Sequence, residues 1–237
     1  MKFKTSDERS NYVKEMFSRI AQRYDLMNRI MTGFQDIRWR RIVIQRAQLE
    51  ANSILLDLGT GTGDLAREAL RQHPTANVMA ADFTIEMMRV GATRDIPLNW
   101  LAADALHTPF PGATLDAVVS GFLMRNVTDL EKALSEQFHI LKEGGRIVIL
   151  DTTRPSRNIL RPFIWVHMHI IIPFLGRVLT GAKDAYKYLP DTTENFVTAE
   201  TMSALLTKTG FGNVGFSRYM FGTIAIHRAV KITGVKV

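Results

Sequence analysis

The stretch ILLDLGTGTGDLA, Ile54 to Ala66, runs from an apolar segment through three alternating glycines into the start of an amphipathic pattern. A β-rich run, a glycine turn and a helix in that order open a βαβ unit, and the turn lets backbone approach a ligand with no Cβ in the way. Gly61-Thr62-Gly63-Asp64-Leu65-Ala66 also satisfies the G-x-G-x-x-A spacing of dinucleotide sites. The acids argue against a diphosphate there. Asp64 falls at the helix start, where a like charge would repel it, and Asp57 closes the strand.

A ligand carrying an amine and a sulfonium, and no phosphate, suits that setting, because a carboxylate can then meet a positive group. S-adenosylmethionine is such a molecule. On this reading Asp57 receives the positive end, and Gly59, Gly61 and Gly63 give the close approach. Asp82 ends the second β-rich run, nineteen positions past Gly63, and is placed to accept from ribose hydroxyls. Asp104 ends the third run, is followed by Ala105, and is placed for the adenine amino group. Aspartate favours turn starts in general. Three acids after three successive strands, taken with the glycines, nevertheless line the carboxyl edge at which ligands of such sheets bind.

Outward from this loop the chain alternates short β-rich runs with helical patterns: SILLDL, DLAREALRQH, ANVMAAD, TIEMMRVGATRD, NWLAAD, then LDAVVSGF, DLEKALSEQFHILKEGG and RIVILDTT. That rhythm predicts an α/β fold with a largely parallel sheet covered by helices on both faces. Ahead of it, Val13, Phe17, Ile20, Tyr24 and Met27 recur at helical spacing with Glu15, Arg19 and Arg23 opposite, which predicts one helix over residues 10–31. Behind it, GNVGFSRYM and TIAIHRAVKI read as a closing antiparallel pair. The whole chain, 1–237, reads as one domain: a helical cap at 1–50, a ligand-binding core at 51–153, an apolar insert at 154–197 and a closing helix and strand pair at 198–237.

The insert holds the most unusual composition, PFIWVHMHIIIPFLG, Pro162 to Gly176. This run is too short to span a bilayer and is stopped by Pro173. It reads either as a buried helix or as a lid that shelters a greasy acceptor and rests on a membrane surface, with Arg154, Arg157 and Arg161 drawn to anionic headgroups. The 46% apolar content excludes disorder, and the absence of cysteine excludes disulfides and thiolate metal sites. The start of the chain has no apolar core of a signal peptide, so a cytoplasmic protein is expected. Six histidines without ligand spacing give no metal site. A net charge of +7 and the cluster Arg38, Arg40, Arg41 favour something acidic, nucleic acid or an anionic membrane.

Further segments carry a family resemblance: YDLMNRIMTGFQDIRWRR (24–41), LDLGTGTGDLA, RNVTDLEKAL (125–134), LKEGGRIVILDTTRP, YKYLP (186–190) and GTIAIHRAVK (222–231). Over nearly its whole length the chain resembles class I methyltransferases that use S-adenosylmethionine, and within them the quinone-biosynthesis C-methyltransferases of the ubiquinone/menaquinone type. The resemblance implies a Rossmann-like fold with a mostly parallel seven-stranded sheet, an antiparallel last strand, an N-terminal helix and a helical lid insert. It implies methylation of a ring carbon of a prenylated hydroquinone, most plausibly demethylmenaquinol. By position, Thr60, Thr62, Asp82, Phe83, Asp104, Ala105 and Gly121 would touch the cofactor. Tyr24, Asp25, Asn28, Phe122, Arg125, Asn126 and Tyr186 would face the acceptor. The family usually reads F-G-L-R-N where this chain has Phe122-Leu123-Met124-Arg125-Asn126, so a leucine stands beside the pocket in place of glycine.

Methyl transfer to carbon needs alignment, exclusion of water and an ionised ring hydroxyl, and no metal. Arg125 is the candidate to hold that phenolate, and Tyr24 to fix the ring or relay a proton, with Asn126 beside them. An RNA or protein methyltransferase is the competing class on charge alone. It calls for aromatics interleaved with Lys and Arg, a pattern not seen here, and the apolar insert points away from nucleic acid. A non-catalytic scaffold conflicts with the intact acids and glycines. A homodimer, and contact with the inner face of a membrane, stay open.

Overall fold

The computed structural model describes residues 5–154, 161–171, 174 and 192–232. Apolar runs buried on both faces give parallel strands, and β1 (Ile54–Leu58), β2 (Asn77–Asp82), β3 (Asn99–Ala102), β4 (Leu115–Gly121), β5 (Leu141–Thr152), β6 (Phe211–Tyr219) and β7 (Ile224–Lys231) form one sheet. The order is β3-β2-β1-β4-β5-β7-β6. Only β7 runs against its neighbours, paired antiparallel to β5 on one side and β6 on the other. The order reverses between β1 and β4, so the carboxyl ends of β1, β2 and β4 open onto a crevice where such sheets take ligands.

Alternation along each strand divides the core in two. Leu55, Val78, Val119 and Ile226 face α3 (Gln35–Ala47) and α4 (Asp64–Gln72), where Trp39, Val43, Ile44, Leu65 and Ala69 are buried. Leu56, Val118, Ile147 and Ile149 face the other way, toward α6 (Leu130–Ile140) and α8 (Ala199–Thr209), with Leu134, Ile140, Met202 and Leu206. Between them in sequence, α5 (Ile85–Ala92) follows β2, and α7 (Arg161–Val166) continues into a π-helical turn, His167–Ile171.

Two predicted boundaries move. The helix expected over 10–31 is broken: α1 (Ser6–Ile20) ends in a 3₁₀ turn, Ala21–Arg23, and α2 (Tyr24–Met31) begins afresh. The apolar stripe nevertheless continues across the break, since Phe17 on α1 and Tyr24 on α2 remain in ring contact. The helix expected to run on through LKEGG stops at Ile140, and Leu141 already pairs with Leu115 at the start of β5. The register then shifts, Ala117 meeting Arg146, and the residues between them form an irregularity containing Gly144 at φ +76. Among the described residues no helix is long and apolar enough to cross a membrane.

Candidate active site

The turn after β1 is built by carboxylates. Asp57, at the end of β1, is fully buried, and its Oδ2 accepts from Thr60 Oγ1 at 2.6 Å and from the Ala66 amide in the first turn of α4 at 3.0 Å. Asp82, at the end of β2, accepts from the Gly61 amide at 2.7 Å and the Thr84 amide at 2.7 Å. The Gly59 and Thr60 amides reach Ala81 O. Loop amides that would cradle a phosphate are therefore already held by these two acids and a carbonyl. The anion reading fails for this reason, and not for the one the sequence suggested. Asp64 does not face the ligand cavity; it is shared by Arg29 (3.0 Å), Arg94 (2.8 Å) and Arg40 (3.4 Å).

Burial dominates the chemistry of Asp57, and the charge of Arg40 opposes it only weakly. Desolvation pushes its carboxyl up to about 7, against the pull of the Thr60 and Ala66 hydrogen bonds, and Oδ1 meets no described partner. Burial also raises the Asp82 carboxyl, opposed by backbone amides of Thr84 and Gly61. Gly59 (φ +69) lies against Leu123, whose Cδ1 would stand 2.7 Å from a Cβ on Gly59. A Cβ on Gly63 (φ +87) would meet Leu98 and Trp100 at 2.6 and 2.8 Å. The third glycine thus serves packing behind the loop, not approach to a ligand.

Above this loop opens a cleft that encloses about 890 Å³ of empty space, its open mouth included. Of the predicted cofactor residues, Gly59, Gly61, Asp82, Phe83, Asp104, Ala105 and Gly121 line it; Asp57, Thr60, Thr62 and Gly63 do not. Of the predicted acceptor residues, Tyr24, Phe122 and Asn126 line it, while Asp25, Asn28 and Arg125 do not, and Tyr186 lies outside the described residues.

The residues off the wall have other partners. Asp25 accepts from Thr62 Oγ1 at 2.8 Å and pairs with Arg94, pinning α2 to the glycine loop. Asn28 is buried one turn along α2. Arg125, expected to hold a phenolate directly, is buried, with Nη1 2.6 Å from Asp151 Oδ1 and its guanidinium 4.9 Å from the centre of the Phe122 ring. It still acts on the cavity. Burial raises the Tyr24 hydroxyl above its ordinary value, and the Arg125 charge is the largest influence opposing that rise, followed by the Asn28 amide.

Sequence reasoning missed the underside of α1 as a wall. Ser10, Val13, Lys14 and Phe17 line the cavity. The helix is fastened there by Ser18 Oγ donating to Glu86 Oε2 (2.9 Å), by Arg9 Nη2 donating to Arg125 O (2.8 Å) and by Lys14 over the Phe83 ring (5.1 Å). The apolar stripe Val13–Phe17–Tyr24 was the available signal, since a core stripe and a pocket stripe look alike in sequence. Phe17 and Tyr24 meet edge to face at 5.6 Å. None of the described residues of the insert lines the cavity; the cover observed there is α1.

Comparison with known proteins agrees with this architecture. The profile described as the ubiE/COQ5 methyltransferase family matches residues 4–231. A Desulfotalea psychrophila protein named Ubiquinone/menaquinone biosynthesis C-methyltransferase UbiE is 42% identical over 221 residues, 92% of this chain and 90% of the relative. A Demethylmenaquinone methyltransferase of Thermus thermophilus is 40% identical over 216 residues, 90% of this chain and 98% of that one. The crystal structure of a SAM-dependent methyltransferase from Thermotoga maritima superposes with a TM-score of 0.66 at 18% identity, covering 92% of this chain and 98% of that chain, a likeness of fold.

Proposed function

The chain belongs to the ubiE/COQ5 methyltransferase family and is an S-adenosylmethionine-dependent methyltransferase, and on that premise we propose that it methylates a ring carbon of a prenylated hydroquinone, demethylmenaquinol to menaquinol. The observation that supports this is one cavity lined both by carboxylates and glycines and by Tyr24, Phe122 and Asn126 among the apolar Val13, Phe17, Leu123 and Val127. A benzoquinol of the ubiquinone pathway is the second reading, favoured by the name of the Desulfotalea relative, which spans both quinones.

The residues present fit the cofactor. With Gly61 and Thr84 amides bound to Asp82, the rim offers carboxylates to hydroxyls and amines and leaves these amides closed to a diphosphate. Asp82 and Asp104 would hold its ribose and adenine, Phe83 and Ala105 would flank it, and Gly59, Gly61 and Gly121 would lie along it. When bound it supplies an electrophilic methyl group on a sulfonium. The chain's own part is to orient the ring, exclude water and favour ionisation of the ring hydroxyl. Tyr24 and Asn126 orient the ring from the acceptor wall, and Val13, Phe17 and Leu123 give that part of the lining its apolar surface. Arg125 acts from behind Phe122, where its charge in a dry setting favours an anion nearby.

The apolar side chains of Trp165, Val166, Ile170, Ile171 and Phe174 are exposed, and we assign them to contact with the anionic inner face of a membrane, where a prenylated acceptor resides. The deciding experiment incubates the protein with labelled S-adenosylmethionine and, in parallel, short-chain demethylmenaquinol, a demethylated benzoquinol and RNA. Product mass identifies the acceptor. Labelled RNA with unlabelled quinols, or uptake of NAD but not S-adenosylmethionine in calorimetry, overturns the reading.

A further inference from the structure

We propose that Asp151 is a positioning residue of this methyl-transfer site: it fixes Arg125 behind the acceptor wall and limits how much of the guanidinium charge reaches the hydroxyl of Tyr24. The inference rests on the reading that Tyr24 faces the acceptor. Asp151 is the penultimate residue of β5 and is 3% exposed. Its Oδ1 accepts from Arg125 Nη1 at 2.6 Å and from the Thr152 amide at 2.7 Å, and its Oδ2 accepts from the Arg125 amide at 3.2 Å. One carboxylate thus grips the same residue by side chain and by backbone, which leaves the guanidinium little rotational freedom.

Arg125 joins three parts of the site. Its guanidinium stacks on the ring of Phe122, a cavity residue held at φ +61. Its carbonyl receives Arg9 from α1, the helix that covers the cavity. Its charge reaches Tyr24 across the wall. The other charged or polar groups acting on Tyr24 are Arg40 from α3 and Asp25 and Asn28 from α2. Asp151 meets this set through its bonds to Arg125. The charge of Asp151 also reaches His227 on β7, which pairs with Ile149; its Nε2 lies 2.9 Å from Ala199 O and its burial favours the neutral ring.

A double-mutant cycle read on Tyr24 tests this. Protein labelled with fluorotyrosine is titrated by ¹⁹F NMR, with the Tyr24 resonance identified by its loss in Tyr24→Phe. Asp151→Asn leaves Arg125 uncompensated, so the Tyr24 midpoint is expected to fall. Arg125→Gln is expected to raise it, and adding Asp151→Asn to Arg125→Gln is expected to change nothing further. In turnover, Asp151→Asn is expected to lower kcat about 10- to 100-fold, with KM for S-adenosylmethionine within about twofold. A Tyr24 midpoint unmoved in folded Asp151→Asn, or moved as far in the Arg125→Gln background, overturns the proposal. Should Asp151→Asn not fold, Asp151→Glu displaces the guanidinium with the charge kept, and an unmoved midpoint there overturns it equally. The titration needs no quinol, so failure to methylate any quinol would sink the proposed acceptor and leave this test standing.

Discussion

Asp57 and Asp151 are the penultimate residues of β1 and β5, two strands with β4 between them, and both carboxyls are buried, yet their surroundings are opposite. Asp57 is held by a hydroxyl and an amide, with no ion pair among the described residues and only the charge of Arg40, acting from beyond contact, to lower it. Asp151 is held by a guanidinium as well as by amides. Hydrogen bonds from neutral donors offset only part of the desolvation of a carboxylate, so Asp57 titrates near neutrality. An ion pair of good geometry offsets more, and makes the pair depend on both its members. One acid therefore shapes a loop, and the other immobilises a cation.

The sharpest way to break that contrast is to remove each carboxylate in turn. Asp151→Asn strands a buried guanidinium and is expected to lower the unfolding free energy in urea by about 3–5 kcal/mol. Asp57→Asn is expected to behave differently with pH. The folded carboxyl lies near 7 and the unfolded one near 3.8, so the contribution of Asp57 to stability is complete below about pH 4 and is lost as pH rises through 7. The stability of Asp57→Asn relative to the parent should accordingly climb by up to roughly 4 kcal/mol between pH 4 and 8. A flat difference across that range would place a cation or water beside Asp57 and erase the contrast.

Asp82 is the intermediate case, an acid on neutral donors that also faces the cavity. Asp82→Ala is expected to weaken S-adenosylmethionine binding in calorimetry by about 30- to 100-fold, while Arg125→Ala leaves it near the parent value and loses turnover. Equal loss in both variants would merge the two walls into one. Gly59→Ala tests the loop that Asp57 supports. The new methyl meets Leu123 at a positive φ, and a loss of about 1–3 kcal/mol is expected, partly restored by Leu123→Ala. Ser18→Ala releases one fastening of α1 to Glu86 and should change stability by only about 0.5–1 kcal/mol, with faster amide exchange confined to α1.

Much of this was legible in the residues. ILLDLGTGTGDLA fixes strand, turn and helix by period and composition, and the alternation that follows dictates a parallel sheet with a ligand edge. Asp82 and Asp104 were readable because strand ends must lie at that edge. What could not be read is which way a strand-end acid turns. Asp57 points under the loop to the Ala66 amide, a choice set by three-dimensional packing nine residues away. The pairing of Arg125 with Asp151, 26 residues apart, is invisible to any local pattern, as is the seat of Asp25 on Thr62. The break at Ala21–Arg23 escaped because the apolar stripe passes through it.

The lone reversed strand has a bearing on how the molecule comes into being. β7 lies between β5 and β6, and its residue Ala225 is the neighbour that pairs with Asp151. While a ribosome is still making the last segments, β5 stands as an open flank with unsatisfied amides, ready to pair wrongly with another nascent chain. That flank is covered only when β7 slots inward between β5 and β6, and the strand carrying Asp151 gains its second neighbour last.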